Sequence, residues 1–210
     1  GLFVIFLQYI FGPKIVESSM GVHQLSEAEA PELHQMVAEL AAAANIPKPK
    51  VGISNTMVPN AFAYGRSKRS GHVCVTKGIL GLLDKEELRA VLGHEMGHIK
   101  SRHVLYHSLA INFSKFINNI PVVSDLIVPA LLYWSRMSEF TADRAGLLAC
   151  QDEDAALRTV IKMAGVPQKY FESMDRRVFL EQAKEFEDLL TGSEKALKGL
   201  SSLDNTHPWT

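Results

Sequence analysis

The sequence contains little cysteine, almost no net charge and no long uninterrupted hydrophobic run. Its two cysteines, Cys74 and Cys150, form no CxxC pair, which argues against a disulfide framework or a cysteine metal site and favours buried free thiols in a reducing compartment. A formal net charge of −1 gives no sign of a nucleic-acid partner or a strongly acidic one. Internal repeats, low-complexity tracts and phosphate-binding glycine loops are also absent. The 210 residues, 47% of them hydrophobic, can form one sizeable core.

The most informative motif is the stretch His94-Glu95-Met96-Gly97-His98, an HExxH pattern. On a helix, positions i and i+4 lie about 40° apart, so His94 and His98 can converge on one metal ion. Glu95 lies about 100° round the helix, where its carboxylate can reach a water at that metal without being a ligand. The pattern therefore predicts a catalytic zinc site in which Glu95 is the general base.

The residues around the motif favour a helix. Asp84 followed by Glu87 matches a capping box, which marks a helix start. Apolar residues then recur at helical spacing, at Leu88, Val91, Leu92, Met96 and Ile99. The alternative interpretation is a pair of helix histidines with a glutamate that serves only solubility, but two such histidines on a half-buried helix are costly to satisfy.

A catalytic zinc ion normally has three protein ligands, so a third must lie elsewhere. Glu139, at the start of a second segment with helical spacing, is the best candidate. Asp143 lies one helical turn further on, where it can accept a hydrogen bond from the outer nitrogen of a ligand histidine and fix its tautomer. An ordinary ion pair between Asp143 and Arg144 or Arg136 is the alternative.

Together these motifs resemble the HtpX-like membrane zinc endopeptidases, which are related to the CAAX prenyl protease and more distantly to thermolysin. The resemblance rests on four stretches in the family's order, which are residues 59–63, 94–98, 136–143 and 206–208. It implies a zincin-like α+β fold, mostly helical with a small antiparallel sheet, and one zinc ion held by His94, His98 and Glu139. It also supports His207 as a donor to the negative oxygen of the tetrahedral intermediate. A frayed terminal histidine is the alternative, and Arg136 is the next residue to test.

Two β-favouring runs, residues 58–64 and 72–76, flank a polar turn and predict a hairpin. One of its strands should lie at a sheet edge, where unpaired backbone groups can bind an extended peptide. The family resemblance assigns substrate binding to Asn60 and Ala61. Alternatively, Asn60 only opens the strand after Pro59.

The amino-terminal residues 1–11 are almost wholly apolar, but as a helix they cover only about 16 Å of a hydrocarbon core of about 30 Å. We expect residues 1–14 to be the end of a truncated transmembrane or membrane-associated helix that stops at Gly12-Pro13-Lys14. The alternatives are a signal-peptide core and a buried helix of the domain.

A second apolar region, residues 117–134, is interrupted by polar residues and by Pro121 and Pro129. An aspartate such as Asp125 near a helix centre costs about 2.5–3.5 kcal/mol on membrane insertion. We therefore expect an insertion that forms a lid or a membrane-skimming loop rather than a span.

The sequence thus predicts a zinc endopeptidase domain at residues 15–210 that cleaves proteins at or in a membrane, with a role in membrane protein quality control. We expect peptide or protein substrates, lipid contact, no nucleic acid, and a membrane location with the catalytic domain on the cytoplasmic side. Two alternatives remain, a membrane-tethered zinc-binding scaffold or chaperone-like protein without proteolysis and a CAAX-type processing peptidase.

Overall fold

The computed structural model of the protein describes residues 2–103 and 121–166, together with residues 178 and 181. Helices and strands alternate along the first part of the chain, and helices follow. In chain order they are α1 (Leu2–Ser19), β1 (Val22–Gln24), α2 (Pro31–Ala43), β2 (Lys50–Ser54), β3 (Ala61–Gly65), β4 (Gly71–Thr76), α3 (Lys77–Leu82), α4 (Lys85–Lys100), α5 (Pro121–Cys150) and α6 (Glu153–Met163). The predicted class, α+β and mostly helical with a small sheet, is confirmed.

The four strands form one sheet in the order β1-β2-β4-β3. The predicted hairpin is confirmed, because β3 and β4 are antiparallel with Ala61 opposite Val75. The sheet is mixed rather than antiparallel, since β2 and β4 run parallel with Val51 opposite Val73. The parallel pair follows from the order of the strands in the sheet. After β2 the chain forms β3 at the edge, and β4 then returns between β2 and β3, antiparallel to β3 and parallel to β2. Strand β3 is left at an edge, as expected.

The two faces of the sheet are covered by different helices. One face carries Val51, Val73 and Val75, which pack in the main core with α2 and α4. Each large apolar side chain fully buried there contributes about 1.5–3 kcal/mol. The other face carries Phe62 and Tyr64, and α1 packs on it. The sheet thus holds β3 rigidly beside the carboxy-terminal half of α4.

Helix α1 was expected to stop at Gly12-Pro13-Lys14, and this is wrong. The helix continues through Pro13 to Ser19. Its last turns are held on the sheet, where Val16 and Met20 pack against Phe62 and Tyr64. This packing offsets the backbone hydrogen bond that Pro13 cannot donate. Among the described residues, no helix is both long enough and apolar enough to cross a bilayer.

Ser26 and Glu29 have the spacing of a capping box, but helix α2 begins only at Pro31. Ser26 donates both its backbone N–H, at 2.8 Å, and its hydroxyl to Oε2 of Glu29, and these bonds close a turn before the helix. Proline is well suited to a first helical position, since its fixed φ is helical and its missing N–H has no partner there.

Helix α4 begins with the predicted capping box. Asp84 accepts hydrogen bonds from the backbone N–H groups of Glu86 and Glu87, and Glu87 accepts one from the N–H of Asp84 at 2.9 Å. The Glu87 side chain is fully buried and also binds Lys162 at 2.6 Å and Arg158 at 3.2 Å, both on α6. Because an unpaired buried charge would be costly, this cluster fixes α6 against the start of α4.

Helix α5 crosses α4 at very short range through small residues. A Cβ added at Gly93 would overlap the Cβ of Ala149, and one at Gly97 would lie 2.9 Å from the Cβ of Ala145. A Cβ at Gly146 would lie 2.8 Å from the backbone oxygen of Ala90. The two helix backbones are therefore nearly in contact, as small residues allow. This approach brings side chains from both helices to one point.

The expected loop at residues 117–134 is wrong for residues 121–134, which are helical and form the first half of α5, with Pro129 inside it. Their placement as a lid stays a prediction. Residues 117–120 lie outside the described part. The helix continues directly into the stretch that carries Glu139, so tertiary packing of its second half on α4 prevails over Pro129. The ring of Trp134 is part of this packing, at 6.0 Å from that of His103.

We predict that Gly93→Ala lowers the free energy of unfolding by about 1–3 kcal/mol, because the added methyl group forces α4 and α5 apart. Adding Ala149→Gly removes the overlapping methyl and should recover most of that loss, so the two changes are coupled. Urea unfolding of both single variants and the double variant measures this. Gly81→Ala is the control, since a Cβ at Gly81 in α3 has nothing within 4 Å. Strictly additive effects of the two changes would contradict the proposed contact.

Candidate metal centre and substrate cleft

Three side chains from α4 and α5 converge on one point. Nε2 of His94 lies 3.0 Å from Nε2 of His98. The Oε2 atom of Glu139 lies 3.4 Å from the first nitrogen and 3.5 Å from the second. The histidines are one helical turn apart on α4, and Glu139 reaches them because α5 lies so close. The structure thus brings together the three residues that the sequence predicts as ligands, in a cluster that could hold a metal ion.

The spacing of these three atoms fits a tetrahedral metal. Bonds of about 2.0–2.1 Å to nitrogen and oxygen give tetrahedral edges of about 3.3–3.4 Å. The observed separations of 3.0, 3.4 and 3.5 Å surround that value. Oε2 of Glu139 is buried and has no hydrogen-bond partner within the described part of the chain. A buried carboxylate oxygen facing two imidazole nitrogens is well placed to bind a cation.

Asp143 accepts a hydrogen bond from the outer nitrogen of His94, with Oδ1 at 3.0 Å from Nδ1. Neither alternative ion pair is needed to explain Asp143. Burial alone would lower the pKa of His94, but the hydrogen bond to Asp143 and the nearby carboxylates of Glu139 and Glu95 outweigh it and raise this pKa to about 10. Burial would raise the pKa of Glu139, yet His94 and His98 hold it well below its usual value. Both shifts favour a positive charge at this point, which a bound cation would supply.

His98 also has an outer partner, which the sequence did not predict. Nδ1 of His98 lies 3.2 Å from Nδ1 of His103, and the two rings meet edge to face. His103 lacks ligand spacing in the sequence, which by itself indicates only an ordinary surface or core histidine. Its position just beyond the end of α4 was the available signal, since a residue there can fold back beside the helix's last turn.

A cavity of about 320 Å³ opens beside the ligands, in the size range of ligand-binding pockets. His94, Glu95, Asn60 and Ala61 line it together, so the edge strand and the HExxH helix form one cleft. Glu95 is almost fully buried. Oδ1 of Asn60 is buried and has no hydrogen-bond partner among the residues that the structure describes.

One wall of the cavity comes from α6, which lines it with Ala156, Leu157, Val160 and Met163 together with Glu153 and Thr159. Val91 of α4 adds to this mainly apolar lining. The Glu87 cluster holds this wall in place. None of the α6 residues was predicted to belong to the site, because their spacing shows only an amphipathic helix and not what it faces.

Other predicted residues take no part in this cluster. Cys74 and Cys150 are free and buried, as expected. Burial raises the pKa of the Cys74 thiol to about 12, which makes it a poor metal ligand. Arg136 lies over the ring of Phe140, 5.6 Å from its centroid. His207 lies outside the described residues, so its role stays a prediction.

The sequence matches the model of Peptidase family M48 over residues 27–210. A protein named "Protease HtpX homolog" from Methanothermobacter thermautotrophicus is 63% identical over 109 residues, which are 52% of this chain and 42% of that protein. Proteins of the same name from Sulfurihydrogenibium sp. and Bifidobacterium longum are 38% and 37% identical, over 69% and 94% of this chain and 60% and 61% of their own lengths. The chain thus spans about two fifths to three fifths of these relatives.

Proposed function

Because the chain belongs to Peptidase family M48, we propose that it is the catalytic part of a zinc-dependent endopeptidase. The observation that carries the proposal is the triangle of His94 Nε2, His98 Nε2 and Glu139 Oε2, with edges of 3.0, 3.4 and 3.5 Å. Two imidazoles and one carboxylate are a common donor set of catalytic zinc sites and leave a position for water. One zinc ion is expected.

The remaining roles follow from where the side chains lie. A bound zinc ion would polarise the scissile carbonyl and lower the pKa of a water molecule to about 7. Glu95, buried in the cleft beside His94, would accept the proton of the attacking water and pass it to the leaving amine. Asp143 would hold the ring of His94 with Nε2 directed into the cluster. His207, if it reaches the cleft, would donate to the developing oxyanion.

The edge strand β3 supports an extended peptide as the substrate. Its outer backbone groups have no partner strand within the described chain, and a peptide can add to such an edge. Asn60 and Ala61 lie where β3 begins and line the cleft. The unpartnered Oδ1 of Asn60 can accept a hydrogen bond from a substrate backbone N–H. The apolar wall of α6 would then take one large apolar side chain of the substrate beside the scissile bond.

A membrane setting is supported by exposed apolar side chains on α1. Leu7, Tyr9, Ile10, Phe11 and Ile15 are between 36% and 57% exposed. Five large apolar side chains exposed on one helix favour contact with an apolar environment over contact with water. We propose that α1 contacts lipid, with the catalytic domain on the cytoplasmic side, and that the substrates are proteins at the membrane, as in membrane protein quality control.

The test of the function separates the base from the ligands. Glu95→Gln should keep zinc but lower kcat by about 10²–10⁴-fold, because the proton acceptor is lost while the ligands stay. Glu139→Ala should lose zinc and activity together. Asp143→Ala should weaken zinc binding by about 10–100-fold. Zinc content by elemental analysis and hydrolysis of a casein-type substrate measure these effects, with the exposed Glu86→Gln as control.

Two results would contradict the assignment. Loss of zinc in Glu95→Gln as readily as in Glu139→Ala would mean that the roles of base and ligand are misassigned. Zinc binding in the wild-type chain with no hydrolysis of any substrate, and no effect of Glu95→Gln, would favour the alternative of a zinc-binding scaffold.

Asn60→Ala should lower kcat/KM for extended peptides by about 3–10-fold, the value of one neutral hydrogen bond. The free energy of unfolding should not fall, because Oδ1 makes no hydrogen bond within the described chain that the change could remove. Peptide kinetics and urea unfolding test both parts, with the exposed Asn55→Ala as the matched control. A loss of stability without a change in kcat/KM would assign Asn60 to the fold alone.

Filling the cavity should change substrate preference. Ala156→Leu narrows the pocket, so the ratio of kcat/KM for peptides with leucine against alanine beside the scissile bond should fall by about 10–100-fold, since each methylene in an apolar pocket counts for about 1–3 kcal/mol. Ala164→Leu, the same change at the exposed end of α6, should leave that ratio unchanged. If this ratio is the same in Ala156→Leu and Ala164→Leu, the substrate side chain does not bind in this cavity.

A further inference from the structure

The two candidate ligand histidines are held by different outer partners. Nδ1 of His94 faces a carboxylate, Asp143 Oδ1, at 3.0 Å. Nδ1 of His98 faces another imidazole, Nδ1 of His103, at 3.2 Å. His103 is only 8% exposed, so water competes little for this contact. The pairing of two histidines by the same kind of nitrogen restricts where their protons can lie.

A hydrogen bond between the two Nδ1 atoms needs one proton between them. If His98 offers the lone pair of Nε2 to a metal, its own proton must be on Nδ1. His98 is then the donor, and Nδ1 of His103 is the acceptor, which places the proton of neutral His103 on Nε2. In the opposite arrangement His98 would carry its proton on Nε2 and could not be a ligand. Acceptance by His103 thus selects the metal-binding tautomer of His98.

The backbone after α4 places His103 for this role. Ser101 donates its N–H to Gly97 at 3.0 Å, and Arg102 donates to Ile99 at 3.2 Å. Arg102 has φ of 60°, in the left-handed region that ends many helices. The chain therefore turns back directly before His103.

The ring of Trp134 on α5 also contacts the His103 ring, nearly perpendicular to it at 87°. The centroid distances from the His103 ring are 5.3 Å to His98 and 6.0 Å to Trp134. Edge-to-face contacts at such distances are favourable. His103 is thus held between the candidate ligand on α4 and the helix that carries Glu139.

We propose that His103 is a positioning residue of the metal centre, which fixes the tautomer and the ring orientation of His98. The proposal rests on the proposed metal site. His103 does not line the cleft and acts only through His98. Outer partners of this kind raise the basicity of a ligand imidazole, and their loss weakens metal binding.

The experiment measures the zinc Kd of purified variants by competition with a chromogenic chelator at neutral pH. His103→Leu removes the acceptor at similar size and should raise the Kd by about 10–100-fold. His103→Asn keeps an acceptor oxygen one bond beyond Cγ and should stay close to wild type. The visible spectrum of the Co²⁺-loaded forms should change for His103→Leu and not for His103→Asn.

His34→Leu is the matched control. His34 is as buried as His103, at 8% exposure. Its Nε2 lies 3.0 Å from the backbone oxygen of Leu25, which is not a candidate metal ligand. It should alter stability without altering the zinc Kd. If His103→Leu does not fold, His103→Ala replaces it under the same criterion.

The proposal is overturned if His103→Leu binds zinc as tightly as wild type, or if His103→Asn loses as much affinity as His103→Leu. These results differ from failure of the metal site itself, which would show as no zinc binding by the wild-type chain or as binding unchanged by His98→Ala.

Discussion

The close approach of α4 and α5 is the constraint on which the rest of the site depends. Gly93, Gly97 and Gly146 let the two helix backbones come nearly into contact. Only at this range can a glutamate on one helix reach two imidazoles on the other at 3.4 and 3.5 Å. The burial of three polar side chains at this point is costly unless they share a cation or a proton. Helix packing and cation binding are therefore two aspects of one arrangement.

The neighbouring elements then orient what this contact brings together. The sheet holds β3 and Asn60 at one rim of the cleft, and the buried Glu87 cluster holds α6 at the other. Asp143 on α5 and His103 beyond α4 each face one imidazole from outside. Each group is carried by an element with buried contacts of its own to the rest of the fold, and these contacts help to set the geometry of the cleft.

Local patterns in the sequence predicted the site better than the fold around it. His94, His98 and Asp84 could be placed because helical spacing and capping depend on near neighbours. The partner of His98 could not, because it depends on the left-handed turn at Arg102 and on a contact with another helix. The parallel pairing of β2 and β4 was missed for a related reason: strand order is decided by long-range packing, and the strand patterns are the same either way. Residues 121–134 form a helix despite Pro129 inside it, since tertiary contacts outweigh local propensity there.

A crystal structure of the zinc-loaded chain, with anomalous diffraction data at the zinc edge, tests the proposed metal centre most directly. We expect one strong anomalous peak at about 2.0–2.1 Å from Nε2 of His94, Nε2 of His98 and Oε2 of Glu139. Glu95 should lie beside the peak without touching it. A peak bound by other residues, or Glu95 in place of Glu139 among the ligands, would contradict the proposed centre.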